Sequence, residues 1–532
     1  MAGGNREIDI GYKENRKEQR TMSGRKKTAV KNGMIGFIGQ LASLCLQIVS
    51  RSVFIRYIGE EMLGLNNTFT SFLYTFSLAE LGFQSAIAFN LFKPLREKNE
   101  QEIIEIVNVY KIIYRVVGIF FVAASVLSLP LLPLITKNVT ITNEIRVYYL
   151  IQALASSCTY FLAYKRTILY ADQKDYICKL VDMFTNVVFR ALQIWAIVAL
   201  HSYFVYIVLQ LVQVYANNII IHCMCSRYYP YLHKVKFNKT YAKKMYEDAK
   251  QIFAGRLAVY VYSATDNLIV SKVIGTVQVA FLGNYTTITA NMKMLINGLL
   301  YPITPIIGNY LAGDEDADHQ KRNLGIYTHL RFIVTLLLLI PTLVLVDDFI
   351  LMWVGSKYIL QPVIKVLLVA DLYFFLIQGA CSDYITGRGL FKQDKYVTII
   401  GALMNVVLSL AFVGKWGMAG ILVGTVISQV FNWLGHGFVV YKYCFASDWK
   451  GFAGYIEINI YYMICFAGMT MLSAWLYAKV NIASMPMKFV AGGVVCEAVV
   501  LLGYVALCFW CSETKTLCRM LVDTLKGRHL RR

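Results

Sequence analysis

Apolar residues in this chain fall in long runs separated by short polar stretches. The runs lie at about 33–57, 64–92, 108–134, 146–169, 177–200, 203–225, 249–274, 277–311, 325–346, 361–386, 395–413, 416–441, 453–478 and 487–511. A helix needs about 20 apolar residues to cross about 30 Å of hydrocarbon, and each run is close to that length or longer. A soluble core would show shorter, mixed segments. The pattern predicts an all-α integral membrane protein of about fourteen transmembrane helices.

Composition agrees: 57% of the 532 residues are hydrophobic and only 16% charged, against about 25% charged in soluble domains. The net charge of +20 would suggest nucleic acid in a soluble protein, but its placement argues otherwise. Lys93, Arg96 and Lys98, then Lys165, Arg166 and Lys174, then Lys234, Lys236, Lys239, Lys243 and Lys244 crowd alternate loops, while the opposite loops hold few cations, among them Lys137, Lys357, Lys415 and Lys479. This is the positive-inside pattern. It predicts both termini in the cytoplasm and no nucleic-acid partner. Residues 1–31 are polar and basic without the short apolar core of a signal peptide, so the first run is expected to stay in the membrane.

The chain offers no soluble enzyme chemistry. There is no GxxxxGK[ST] loop and no HExxH pair. His222, Cys223 and Cys225 stand too close together for a well-formed zinc site. The other cysteines, such as Cys45, Cys158, Cys465 and Cys496, sit inside apolar runs as small fillers. No catalytic residue, metal site or bound cofactor is expected.

An internal echo suggests how the spans are grouped. Arg56-Tyr57-Ile58-Gly59 ends the first run and Lys272-Val273-Ile274-Gly275 ends the seventh; each is followed by a new span. Two six-helix repeats with a substrate path between them are a common transporter plan. The expected organisation is a basic cytoplasmic tail over 1–32, a six-helix lobe over 33–225 and a cytoplasmic linker over 226–247. A pseudo-symmetric six-helix lobe follows over 248–443, then an appended helix pair over 444–512 and a cytoplasmic tail over 513–532.

Polar residues inside the spans form stripes at helical spacing. Gln40, Ser43, Gln47 and Arg51 share one face of the first span, and Tyr74, Ser77, Glu80 and Gln84 share one face of the second. The seventh carries Arg256, Tyr260, Ser263, Asp266 and Asn267; the eighth carries Thr286, Lys293 and Asn297. Hydrogen bonding between helices explains the uncharged members as well as a wet cavity does. Ionisable groups in lipid are costly and face a cavity or a partner, which favours a cavity for Arg51, Arg256, Asp266 and Lys293. Arg190, Asp182, Asp371 and Glu497 are weaker cases, and Arg115 stands where it can snorkel.

Several motifs carry a family resemblance. Phe54-Ile55-Arg56-Tyr57-Ile58-Gly59, Gly64-Leu65-Asn66 and the stretch Ser77-Leu78-Ala79-Glu80-Leu81-Gly82-Phe83-Gln84-Ser85-Ala86 resemble the start of Wzx-type polysaccharide flippases. These belong to the multidrug/oligosaccharidyl-lipid/polysaccharide exporter superfamily. Thr265-Asp266-Asn267-Leu268-Ile269, Gly275, Asn284-Tyr285 and Met352-Trp353-Val354-Gly355 extend the likeness.

The resemblance implies two lobes around a cavity and transfer of an undecaprenyl-diphosphate-linked oligosaccharide across a bacterial plasma membrane. Arg51, Arg256 and Lys293 would form a basic ladder for the diphosphate; Gln40, Gln47, Asn291 and Asn297 would meet the sugars. Glu80 and Asp266 would gate or carry a coupling ion, from a proton or sodium gradient, with Arg51 and Asp266 paired near the outer side. Membrane lipids, a polysaccharide polymerase and glycosyltransferases are the implied partners. The alternatives are a drug or cation exporter of the same superfamily, a lipid II flippase, and a non-transporting membrane scaffold for glycan synthesis.

Overall fold

The computed structural model describes residues 44–77, 83–172, 174–233, 265–300, 317–509, 511 and 513–516. Among them no strand occurs. The principal helices are α1 (residues 44–57), α2 (Glu60–Phe76), α3 (Phe83–Glu97), α4 (Glu100–Leu127), α5 (Asn143–Leu162), α6 (Asp175–Leu200) and α7 (Tyr203–Tyr228). After them come α8 (Thr276–Leu300), α9 (Ala317–Trp353), α10 (Pro362–Arg388), α11 (Phe391–Trp416), α12 (Met418–Tyr443), α13 (Trp449–Ala478) and α14 (Met485–Cys508). Nine of the described helices, α4, α6, α7 and α9 to α14, are long and apolar enough to cross a membrane.

Each predicted span that falls on described residues is helical, including those at 177–200 and 361–386 with their ionisable residues. The run at 146–169 ends earlier than expected: α5 stops at Leu162, and a tight turn over Ala163–Lys165 leads into a short helix, Arg166–Ala171. The described parts of the second run lie on α2 and α3.

Local chemistry sets the reversals. His201 takes a left-handed conformation after α6, and Ser202 accepts a hydrogen bond from the Val205 amide to start α7. Gly389 caps α10 in the left-handed region and Gly417 turns α11 into α12. The echo detected in the sequence is a backbone device. Gly59 has φ +103° and Gly275 has φ +156°, conformations that favour glycine, and each precedes a new helix.

The chain divides into two compact units. The first comprises 1–51, 84–119 and 154–243; the second comprises 52–83, 120–153 and 244–532. They cut across the expected lobes, because 52–83 and 120–153 pack with the C-terminal half. The reason is close packing inside the second unit. Gly64 of α2 lies so near α8 that a Cβ there would stand 2.1 Å from the Thr276 carbonyl oxygen.

Polar ties run alongside that contact. Lys357 Nζ meets Glu60 Oε1 at 2.6 Å, the Tyr358 hydroxyl donates to Glu60 Oε2 at 2.8 Å, and Lys137 Nζ donates to the Val273 carbonyl at 2.6 Å. Asn267 Nδ2 donates to Ser71 Oγ at 3.0 Å. The apolar core of this unit lies among α9, α10, α12, α13 and α14, with Leu336, Leu372, Ile377, Tyr462 and Cys496 buried.

Candidate functional site

The polar residues of the second unit converge from four helices and a short helical segment. The segment, 265–269, passes into a π-helical turn over Val270–Ile274, a local widening often found at functional positions. It carries Asp266. The Thr425 hydroxyl of α12 donates to Asp266 Oδ2 at 3.0 Å, and Asn405 Nδ2 of α11 donates to Thr425 Oγ1 at 2.8 Å. Asp266 Oδ1 is buried with no hydrogen-bond partner among the described residues. Small residues bring α11 and α12 together here: a Cβ on Gly424 would lie 2.6 Å from the Ser409 amide nitrogen.

Lys293 of α8 forms the adjoining half. Its Nζ lies 2.8 Å from Asp371 Oδ2 on α10 and 4.9 Å from the Phe375 ring centre. Gln429 Nε2 of α12 donates to Asp371 Oδ1 at 2.8 Å, and Gln378 Nε2 donates to Gln429 Oε1 at 3.0 Å. Asp371 and Lys293 are both within electrostatic reach of Asp266. The cluster thus holds one cation, two carboxyl groups and a relay of amide and hydroxyl groups. In the low dielectric of a membrane interior, such a set is tightly coupled. Exchanging one ion changes the binding energy of the others.

A second ionic group lies on α9 and α10. Arg331 is buried, with Nη2 2.6 Å from Asp383 Oδ2 and 2.8 Å from the Tyr327 hydroxyl, and Nη1 donates to the Leu376 carbonyl at 3.1 Å. Gly379 makes the space, since a Cβ there would stand 2.0 Å from Arg331 Nη1. His329 ties α9 to α13 and α14: Nδ1 is 2.7 Å from the Tyr462 hydroxyl and Nε2 is 2.8 Å from that of Tyr504. These groups are committed to holding helices together.

The structure places the sequence-expected residues unevenly. Lys293 and Asp266 stand in the cluster, but Lys293 has a carboxylate beside it, so the expected basic ladder is compensated at that rung. Asn291 Nδ2 donates to the Thr287 carbonyl of its own helix at 2.8 Å, and Asn297 is exposed. Gln47 and Arg51 lie one turn apart on one face of α1, within the first unit, whereas Asp266 belongs to the second. Arg51 is within electrostatic reach of Tyr206 on α7. Gln40, Glu80 and Arg256 lie outside the described residues.

Thr425, Gln429, Asn405, Arg331 and Asp383 were not singled out from the sequence. Thr425, Ser428, Gln429, Asn432 and His436 nonetheless form a polar stripe at steps of three and four along α12, the same signal that marked the first span.

Comparison with known proteins bears on what such a cluster serves. A family model described as "polysaccharide biosynthesis protein" matches residues 29–311, and the MatE family model matches residues 252–411. No curated protein matches the sequence. Among solved structures, the lipid II flippase MurJ in an inward closed conformation superposes with a TM-score of 0.65 at 14% identity, covering 89% of this chain and 98% of that one. An inward-facing multidrug resistance MATE family transporter gives 0.58 at 14% identity, over 75% of this chain and 97% of its own. The eukaryotic MATE transporter AtDTX14 gives 0.57 at 14% identity, over 82% and 99%. The all-helical architecture is therefore the one shared by MurJ and the MATE transporters. With its family model matching more than half of the 532 residues, this multi-pass membrane chain belongs to the polysaccharide biosynthesis protein family.

Proposed function

We propose that the protein is a flippase. It carries an undecaprenyl-diphosphate-linked oligosaccharide from the inner to the outer leaflet of a bacterial plasma membrane, for assembly of a surface polysaccharide. Family membership supports the cargo class. The observation that carries the mechanism is the coupled cluster of Lys293, Asp371 and Asp266 among membrane-spanning helices.

A flippase must bind its anionic cargo and then release it. Lys293 suits both steps because it already has a competing anion. An arriving diphosphate takes the Lys293 ammonium from Asp371, and Gln429 continues to hold Asp371. Departure of the diphosphate restores the 2.8 Å ion pair. The Oδ1 of Asp266, which has no hydrogen-bond partner among the described residues, is the natural place for a coupling proton or sodium ion, since a buried polar atom without a partner is costly. Neutralising Asp266 removes a negative charge from the cluster and so favours the anionic diphosphate, whereas loss of the bound ion restores that charge and favours release, which links ion movement to cargo release. A polysaccharide polymerase and glycosyltransferases act before and after this step and are the expected protein partners.

Export in cells tests the reading. In a strain lacking the gene, the wild-type chain restores surface polysaccharide. Lys293→Ala and Arg256→Ala, present at wild-type level, do not. Full export by the double Ala variant overturns the assignment of these residues.

A second reading has one observation behind it. The match to the MatE model covers the segment that holds Asp266 and Asp371, and paired carboxyl groups suit an organic cation. That reading expects efflux of a cationic dye that Asp371→Asn abolishes.

A further inference from the structure

Among the described residues, the first unit holds a group of cations that no carboxylate pairs. Among the described residues, four of its basic residues have carboxylate partners: Arg166 forms a two-pronged pair with Asp182, Lys174 lies 2.7 Å from Asp172, Lys179 lies 3.3 Å from Asp175, and Lys93 lies 4.0 Å from Glu97. Lys111, Arg115 and Lys165 have no carboxylate partner among the described residues. Lys111 and Arg115 stand one helical turn apart on α4, where like charges repel. Lys111 Nζ lies 5.7 Å from the centre of the Tyr164 ring, and Arg115 acts electrostatically on the same side chain.

Lys165 adjoins them at the turn after α5, within electrostatic reach of Lys111. It is only 5% exposed, so it does not reach out to water as a snorkelling lysine does. Its ammonium donates to Ser226 Oγ at 2.6 Å and lies 3.1 Å from His222 Nε2, both on α7. An ammonium has three donor hydrogens, and hydroxyl and imidazole groups supply no counter-charge. Taking an ion out of water without a counter-ion is expensive. Three cations held close together, one of them buried, form a place built for an anion.

We propose that Lys111, Arg115 and Lys165 form a binding site for the phosphate or diphosphate group of a membrane lipid. The charge pattern of the loops puts these residues at the cytoplasmic edge. That is where a lipid-linked precursor would first meet the protein, and also where anionic phospholipid headgroups lie. Tyr164 lines the site and Ser226 adds a hydroxyl. The site extends the flippase reading and rests on it only for the choice of a diphosphate lipid.

The test is binding to the full-length chain in nanodiscs of phosphatidylcholine, read by native mass spectrometry. The probes are undecaprenyl diphosphate, phosphatidylglycerol and inorganic pyrophosphate. The wild-type chain binds at least one lipid probe, and the Lys111→Gln, Arg115→Gln double variant binds it at least tenfold more weakly. Lys111→Arg with Arg115→Lys keeps binding within about threefold, because the charge stays. Lys165→Met, checked for unchanged thermal unfolding in detergent, weakens binding in the same direction.

Displacement of undecaprenyl diphosphate by excess phosphatidylglycerol identifies a general headgroup site. Resistance to that displacement identifies a diphosphate site. Equal binding by the double Gln variant and the wild type, or no phosphate probe binding above background, overturns the proposal. Loss of glycan export in cells does not enter this readout, so failure of the transport reading and failure of this site are told apart.

Discussion

Asp266 and Lys293 are the residues on which the transport reading turns, and each makes a separable prediction. Asp266→Asn keeps a group able to accept from Thr425 but cannot take up a proton or serve as an anionic ligand. It is expected to lower transport at least tenfold at normal protein level, measured as surface polysaccharide per unit of membrane protein. Thr425→Val removes the hydroxyl that holds Asp266 and should give a smaller loss. Lys293→Ala leaves Asp371 without its cation, which in a buried setting costs a few kcal/mol. The double variant Lys293→Ala, Asp371→Ala should unfold at a higher temperature in detergent than Lys293→Ala alone. A double variant less stable than the single one would show that the pair does not couple.

Glu60 adds a pH dependence outside the spans. Burial raises its pKa, but hydrogen bonds from Lys357 and Tyr358 and the charge of Lys357 outweigh that and hold it below the ordinary carboxylate value. A depressed pKa means the tie is fully present above the unfolded value, about 4.3. It is lost as pH falls through the folded value. A spin-label distance between α2 and the 356–358 turn should lengthen on acidification below that range and stay fixed in Glu60→Gln, which lacks the titration. A wild-type distance unchanged on acidification would contradict it. As an exposed pair it contributes about 0–1 kcal/mol, so the readout is local.

Helix positions were legible because each span is a long apolar run, and that signal survives the ionisable residues of α6 and α10. The turns were legible in part. Gly59 and Gly275 were found as an echo, and the structure gives the physical reason in their positive φ angles. Gly59→Ala has open space around it but an unfavourable backbone, and should cost about 1–3 kcal/mol. Gly64→Ala meets the Thr276 carbonyl, which is backbone and yields little, and overpacking of this kind costs about 1–3 kcal/mol. Thermal unfolding in detergent checks both. If Gly64→Ala matches the wild type, the close α2–α8 packing is wrong.

Pairings between helices were not legible. Lys293 and Asp371 are 78 residues apart, and nothing in either span alone says that one answers the other. Arg331 and Asp383 escaped notice for the same reason. The polar stripe on α12 could have been read from its spacing, since Thr425, Gln429 and His436 recur on one face.

At the scale of the molecule, the sequence-defined halves and the compact units differ. Residues 52–83 and 120–153 belong to the same unit as the C-terminal helices. The ties Glu60–Lys357, Lys137–Val273 and Ser71–Asn267 all join N-terminal segments to C-terminal ones within that unit. On the orientation expected from the loop charges, Lys137 and Lys357 lie on the outer side. On the flippase reading these ties must break for cargo to leave outward. A disulfide introduced between positions 60 and 357 is therefore expected to stop transport until a reductant is added.

The central claim is that this chain moves a lipid-linked oligosaccharide between leaflets with Asp266 in the coupling path. The direct measurement uses proteoliposomes carrying a fluorescent undecaprenyl-diphosphate oligosaccharide, with the label on the outer leaflet quenched by an impermeant reductant. The wild-type chain is expected to make the inner-leaflet label accessible in the presence of a proton or sodium gradient, and Asp266→Asn is expected not to. Accessibility no greater than in protein-free liposomes, or equal accessibility with Asp266→Asn, would contradict it.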